Sequence, residues 1–428
     1  MLVIDDLRLE EDILPLFNHT NSADGEAALR TLLLQLPASL GQVQERQAVV
    51  CGLLAHWPRL ADFFYSRIQQ LDVWQLLHDI STRRLALDRS RWVAWLRLLV
   101  SEEARYAQRG KCVQLILLLR RLRQRLLEPL VGAELPASFM AQLTVIRRLG
   151  IERLALAVDE DRFSLAQLVE LGRQLQRLTP EDVAAFWQAF GQFEAYWSVA
   201  YTVVQRGFVL ADFAPGTFQL TDFYHPLLRQ PVKNSLQLHP PENVVLLTGP
   251  NMSGKSTLLK AISLCVYLAH AGVGVPAVGC VVPFFQTISV AINLNDSLQS
   301  GYSHFMAEIQ NLKTVLTCAR PGHPTFAVFD EIFRGTNVDD ALDITQATIA
   351  GLARYPNSYF FISTHLLQLQ AQLPAHAVNI CQLCIHCVLE DGIPRFTYQL
   401  RPGWTTLRIG RILFEQAGLP SLLAPPLA

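Results

Sequence analysis

From Leu14 to about Arg206, apolar residues recur every three or four positions, with Leu, Ala, Arg and Gln prominent and few β-branched runs. That period predicts amphipathic helices packed as an all-α module, residues 1–206. Beyond it the pattern changes. Gly207 to Pro215-Gly216 has the punctuation of a linker, and after it short solid apolar runs, such as Val244-Val245-Leu246-Leu247 and Phe326-Ala327-Val328-Phe329, alternate with helical stretches. Strands that are apolar on both faces belong in a largely parallel, covered sheet, so residues 207–428 read as an α/β domain. No internal repeat of 20–50 residues occurs, which excludes a solenoid. The tail from Pro420 to Ala428 should fray.

Leu258 to Phe285 is long enough to cross a bilayer and carries only Lys260 and His270 as interruptions. Gly272, Gly274, Pro276 and Gly279 break it, so it reads as a buried helix followed by a buried strand, with no membrane partner. The 428 residues are 50% hydrophobic, enough core for two or three domains. A formal net charge of -1 argues against coating nucleic acid by bulk charge and leaves only a regional DNA contact. The acidic start, Met1 to Asp6, lacks the basic and apolar parts of an export signal, so a cytoplasmic location is expected, and with it eight cysteines without disulfides.

The candidate chemistry lies in the second half. Gly249-Pro250-Asn251-Met252-Ser253-Gly254-Lys255-Ser256-Thr257 follows an apolar strand and opens an apolar helix, matching G-x-x-x-x-G-K-[ST] at every position. Such a loop aims backbone N–H groups and a helix N-terminus at phosphates, with ATP or ADP as the ligand. Lys255 would reach the β- and γ-phosphates as a mobile point charge, and the Ser256 hydroxyl would ligate Mg²⁺. The strand 326–329 runs into Asp330 and Glu331. Strand alternation would point these two acids differently, so Asp330 is the expected metal ligand and Glu331 the expected general base. Tyr359 to Thr364 is a further buried strand ending at His365, a candidate γ-phosphate sensor; a histidine after a strand is otherwise structural.

These parts, in this order, resemble an ABC-type P-loop ATPase, and Asn251-Met252 within the loop narrows the resemblance to the MutS family, whose loop reads Thr-Gly-Pro-Asn-Met-Gly-Gly-Lys-Ser-Thr. Ser253 replaces a glycine of that pattern. The family's signature Ser-Gly-x-Ser-x-Phe-Met-x-Glu is matched by Ser300, Gly301, Ser303, Phe305, Met306 and Glu308, and its Asp-Glu-Ile-Gly-Arg-Gly-Thr by Asp330 to Thr336, with Asp340 following. Phe333 stands where that pattern has glycine, which should stiffen or slow the element. Ser363-Thr364-His365 matches the family's Thr-His, His225-Pro226-Leu227-Leu228 its entry to the ATPase domain, and Val232 falls about where it packs a side chain on adenine.

The resemblance extends more weakly into the helical half. There Thr20, Gly25, Leu29, Arg30, Pro37, Arg46 and Val50 follow the core-domain pattern, and Phe193 to Ala200 the lever helix. It implies an α/β P-loop ATPase domain preceded by an all-α core and lever domain, and a homodimer in which Ser300, Gly301 and Ser303 complete the neighbour's ATP site. Hydrolysis would then be coupled to double-stranded or branched DNA, in mismatch repair or recombination. A mismatch-reading domain and connector have no room before Leu14, and the C-terminal helix-turn-helix is missing after Pro420, so binding without mismatch reading is expected.

Cys381, Cys384 and Cys387 form C-x₂-C-x₂-C, but no fourth ligand beyond His386 is evident, and the stretch reads as a strand paired across Asp391-Gly392 with Phe396 to Leu400. Arg105, Arg109, Lys111, Arg120, Arg121, Arg123 and Arg125 read equally as a DNA-facing stripe or a solvated helix face. The rival to a DNA-coupled ATPase is an ATP-switched regulatory or scaffold protein acting on protein partners. A transporter motor is disfavoured by the Asn251-Met252 loop and the helical half.

Overall fold

The computed structural model describes residues 2–84, 102–148, 165–292, 304–320, 322–333, 335–373, 377–390, 393–405 and 409–423. It divides into a helical unit, Leu14–Leu36 with Gly41–Gln205, and a sheet unit, Met1–Ile13 with Pro37–Leu40 and Arg206–Ala428. The first thirteen residues therefore belong with the sheet, although the helical module was expected to span 1–206. Their strand β1 (Leu2–Val3) pairs in parallel with a strand more than 280 residues away.

The helical unit contains α1 (Ala23–Leu34), α2 (Leu40–Ala55), α3 (Arg67–Ser81), α4 (Glu102–Leu122), α5 (Ala137–Arg148), α6 (Leu165–Leu175) and α7 (Pro180–Arg206). α7 begins at a reciprocal cap in which Asp182 N–H donates to Thr179 Oγ1 and Thr179 N–H donates to Asp182 Oδ2. It continues because its apolar residues keep the helical period, burying Phe186, Phe190, Phe193 and Trp197. Around Phe63 the rings of Tyr65, Phe190, Phe193 and Trp197 meet edge-on. Buried Glu194 accepts from Asn21 N–H, the Ser22 hydroxyl and the Tyr65 hydroxyl. Ser22 in turn caps α1 at Gly25 N–H. A β-carbon on Gly25 would lie 2.1 Å from a Glu194 carboxylate oxygen, which is why glycine stands there. Arg46 donates to the Leu32 and Gln35 carbonyls and closes the other end of α1.

The sheet unit holds a seven-stranded sheet ordered β1-β7-β8-β9-β5-β10-β11. Its strands are β5 (Val244–Thr248), β7 (Thr287–Ala291), β8 (Thr325–Phe329), β9 (Tyr359–Ser363), β10 (Ile380–Glu390) and β11 (Ile393–Pro402), and only β11 runs antiparallel to its neighbour. Every residue of β5, β7, β8 and β9 is buried, as expected of a parallel sheet covered on both faces. A second sheet, ordered β2-β6-β3-β4, comprises β2 (Asp212–Phe213), β3 (Phe218–Phe223), β4 (Asn234–Leu238) and β6 (Gly279–Val282). The stretch from Gly207 to Gly216 thus contributes β2 to a sheet and is more than a linker. Phe218 on β3 packs on Phe326, Tyr359 and Phe361, which fastens the small sheet to the large one.

Helices α8 (Lys255–Ala271), α9 (His304–Cys318) and α10 (Val338–Leu352) connect the strands. α8 occupies the first part of the apolar stretch 258–285. Among the described residues no helix is long and apolar enough to cross a membrane. Leu419–Leu423 is helical where a frayed tail was expected.

Candidate active site

In a parallel sheet the chain leaves every strand on the same edge, and ligand-binding loops collect there. The loop after β5 runs into α8, the turn after β8 carries Asp330 and Glu331, and β9, which lies between β8 and β5 in the sheet, ends at Ser363 just before His365. Three segments far apart in sequence therefore meet along one edge.

The loop Gly249–Gly254 needs left-handed backbone twice, at Met252 (φ 68°) and Gly254 (φ 95°). Glycine suits the second, where a β-carbon would also come within 3.2 Å of the Tyr398 ring. α8 starts at Lys255, so the exposed Ser256 and Thr257 lie in its first turn, where unpaired N–H groups favour anions. Gly249, Pro250 and Asn251 lead into this turn. Lys255 is buried: its ammonium donates to the Gly249 carbonyl at 2.9 Å and the Pro250 carbonyl at 3.3 Å, and stands 3.7 Å from a Glu331 carboxylate oxygen. It is held in place by these partners, which differs from the freely mobile charge expected. The Ser253 hydroxyl is fully buried and has no hydrogen-bond partner among the described residues.

Asp330 and Glu331 lie just past the end of β8, so strand alternation does not separate them as the sequence suggested. The divergence comes from the backbone instead. Asp330 N–H still donates to Ala291 on the neighbouring strand, whereas Glu331 turns into the left-handed region (φ 53°). Ser363 joins them, its hydroxyl donating to Asp330 Oδ1 and accepting from Glu331 N–H at 2.8 Å. Phe333 is also left-handed (φ 62°), at the position where the family pattern has glycine, and its ring is 1% exposed. Its N–H donates to Glu308 on α9, and its ring meets Phe305 at 6.1 Å between centroids. Burial of that ring offsets a backbone strain of about 1–3 kcal/mol. Asn337 caps α10, its Oδ1 accepting from Asp340 N–H at 2.8 Å while its amide donates to the Asp340 carboxylate at 2.6 Å. His365 is exposed beyond β9.

Beside the loop is a cavity of about 290 Å³, lined by His225, Val232, Ser253, Gly254, Thr257 and Tyr398 among others. The Asn234 amide fixes two of its walls, donating to the Val232 carbonyl at 3.3 Å and the Tyr398 carbonyl at 3.1 Å while accepting from Leu400 N–H at 2.7 Å. Burial, with Lys260 nearby, holds the His225 imidazole below its ordinary range. The sequence singled out Val232 but missed Tyr398, Asn234 and Ser363. The serine before Thr364-His365 was the one available signal for the last.

Ser300, Gly301 and Ser303 lie outside the described residues, as does the turn Asp391-Gly392. Cys381 and Cys384 lie on β10 three residues apart, which sends them to opposite faces. No group of three or more His, Cys, Asp or Glu that could hold a metal occurs among the described residues. In the basic stretch, Arg123 pairs with Glu128 at 3.0 Å and Arg125 with Asp62 at 3.6 Å, and Arg121 reaches Gln69.

Residues 245–424 match the family model of MutS domain V. Over 240 residues the chain is 31% identical to the DNA mismatch repair protein MSH3 of Yarrowia lipolytica, an alignment covering 55% of this chain and 24% of that protein. It is 27% identical over 278 residues to the DNA mismatch repair protein MutS of Geobacillus thermodenitrificans, covering 63% and 30% of the two chains. With MutS of Streptococcus sanguinis the identity is 28% over 312 residues, covering 68% and 36%. The matched region is thus about a quarter to a third of the length of these curated relatives.

Proposed function

The chain belongs to the MutS family, its residues 245–424 forming domain V, and on that premise we propose that it binds and hydrolyses ATP at sites completed by a second copy of itself, in the service of DNA handling. The observation that carries this reading is the meeting of Lys255, Glu331, Asp330 and Ser363 at one sheet edge beside the phosphate loop.

The residues fit ATP with magnesium. The orphaned Ser253 hydroxyl lies in the phosphate loop, where a phosphate oxygen would accept from it. The Ser256 hydroxyl and Asp330 would hold the metal, which when bound neutralises charge on the phosphates. Lys255 would exchange its loop carbonyls for phosphate oxygens, releasing Glu331. That carboxylate then accepts a proton from the water attacking the γ-phosphorus, and Ser363 fixes the backbone from which it projects. Val232 and Tyr398 would flank the adenine, and His365 would contact the γ-phosphate. ADP would remain in the same pocket after phosphate leaves.

The relatives are named as DNA mismatch repair proteins, and DNA coupling is carried over from them. Mixing Lys255→Ala with Ser300→Arg subunits tests the composite site: each alone should be inactive, and the mixture should regain turnover through one intact site per mixed dimer. A chain that stays monomeric by light scattering with every nucleotide contradicts the dimer. A second reading, an ATP switch for protein partners, is favoured by the ion pairs that engage Arg123 and Arg125. Binding to linear and branched DNA with and without ATP separates the two.

A further inference from the structure

Strand β1 stops at Val3, opposite Ser289, so among the described residues the end of β7 has no strand beside it on that flank. The turn that follows, Asp5–Leu7, takes the place, packing on β7 and on α8. Its Asp6 carboxylate accepts from Ile292 N–H through Oδ2 at 2.7 Å. A backbone donor at a strand end needs an acceptor, and a carboxylate supplies a short, strong one.

Ile292 N–H and the Ala291 carbonyl belong to one peptide group, and a trans peptide points the two in opposite directions. The carbonyl faces β8, where it accepts from Asp330 N–H at 3.0 Å. Asp6, one rigid peptide and Asp330 therefore form a single hydrogen-bonded row in which each bond polarises the next. Asp330 is held from two sides, its side chain by the Ser363 hydroxyl and its backbone by the peptide that Asp6 anchors. Ser256, the other expected metal ligand, lies in the first turn of α8, the helix on which the Asp5–Leu7 turn also packs.

Taking the site to bind ATP with magnesium as proposed, we infer that Asp6 is a positioning residue: through the 291–292 peptide it sets where Asp330 presents its carboxylate to the metal. Asp6 acts only through Asp330, so its effect should appear where magnesium is bound and not where nucleotide binds alone.

Equilibrium titration of the whole chain with a fluorescent ATP analogue, in EDTA and again in excess magnesium, measures the gain in affinity that the metal confers. In Asp6→Ala that gain should fall about tenfold, as when a metal ligand loses an orienting partner, while affinity in EDTA stays within about twofold of wild type. Asp6→Asn keeps an oxygen that accepts from Ile292 N–H and should hold the gain within about threefold of wild type. Amide hydrogen exchange without nucleotide gives a readout free of the metal: Asp330 N–H should exchange about tenfold faster in Asp6→Ala, with the amides of β9 unchanged. Asp6→Ser, whose oxygen stands one bond nearer its own backbone, repeats both measurements if Asp6→Ala fails to fold. A gain within about threefold of wild type in Asp6→Ala, an equal loss of affinity in EDTA, unchanged exchange at Asp330, or an Asp6→Asn protein as impaired as Asp6→Ala overturns the proposal alone. A wild type that binds no ATP, or gains nothing from magnesium, overturns the ATP reading and the proposal with it.

Discussion

The Lys255 ammonium stands 3.7 Å from the Glu331 carboxylate, joining the phosphate loop to the turn after β8. Both residues are in reach of one ligand because β5 and β8 flank β9 in the sheet. Lys255→Ala removes the charge that the loop carbonyls and Glu331 share, so nucleotide affinity should fall at least about tenfold. Titration with a fluorescent ATP analogue reads this directly, and unchanged affinity would remove Lys255 from the site.

Ser363 holds Asp330 and Glu331 N–H through one hydroxyl. Ser363→Ala leaves both carboxylates in place but loosens them, so kcat should drop about 10- to 100-fold with little change in KM. An equal rise in KM would assign the serine to binding instead.

Gly25→Ala sets two effects against each other. Alanine favours a helix interior by about 1 kcal/mol. Its β-carbon, however, meets one oxygen of the Glu194 carboxylate, a group that three donors hold fixed through its two oxygens, and overpacking of that kind costs about 1–3 kcal/mol. Urea denaturation should therefore show net destabilisation. Stabilisation would mean that Glu194 moves freely.

His270 gives a pH dependence. Its Nε2 accepts from Phe285 N–H, so the neutral ring carries its proton on Nδ1 and donates to the Val266 carbonyl. Burial lowers its pKa from 6.5 to about 4. Between those values the unfolded chain binds the proton and the folded chain does not, so stability is full above about pH 6.5 and declines as pH falls toward 4. The loss from this group alone approaches roughly 3 kcal/mol. Stability curves of the wild type and His270→Asn should converge on acidification from pH 7 to 5, and parallel curves would contradict the assignment.

The phosphate loop was legible because its chemistry sits in consecutive residues and needs only a strand before it and a helix after. The carboxylates were legible by position, but the turn that separates them was not, since strand periodicity says nothing about where β8 stops. Tyr398 and Asn234 were invisible because Tyr398 on β11 comes beside Asn234 on β4 only when residues 164 apart in sequence are brought together. Strand β1 was missed for a similar reason: two residues carry no period, and only the pairing with β7 makes them a strand. Glu194 reads as one polar position on a helix until Ser22 and Tyr65 are brought to it.

Glu331 is proposed as the base for ATP hydrolysis at this sheet edge. The most direct measurement is steady-state phosphate release by the whole chain with magnesium and ATP, set beside Glu331→Gln and equilibrium nucleotide binding of both. The wild type should turn ATP over, and Glu331→Gln should retain binding with kcat reduced at least about 100-fold. Turnover in Glu331→Gln equal to the wild type, or none in a wild type that binds ATP, would contradict it.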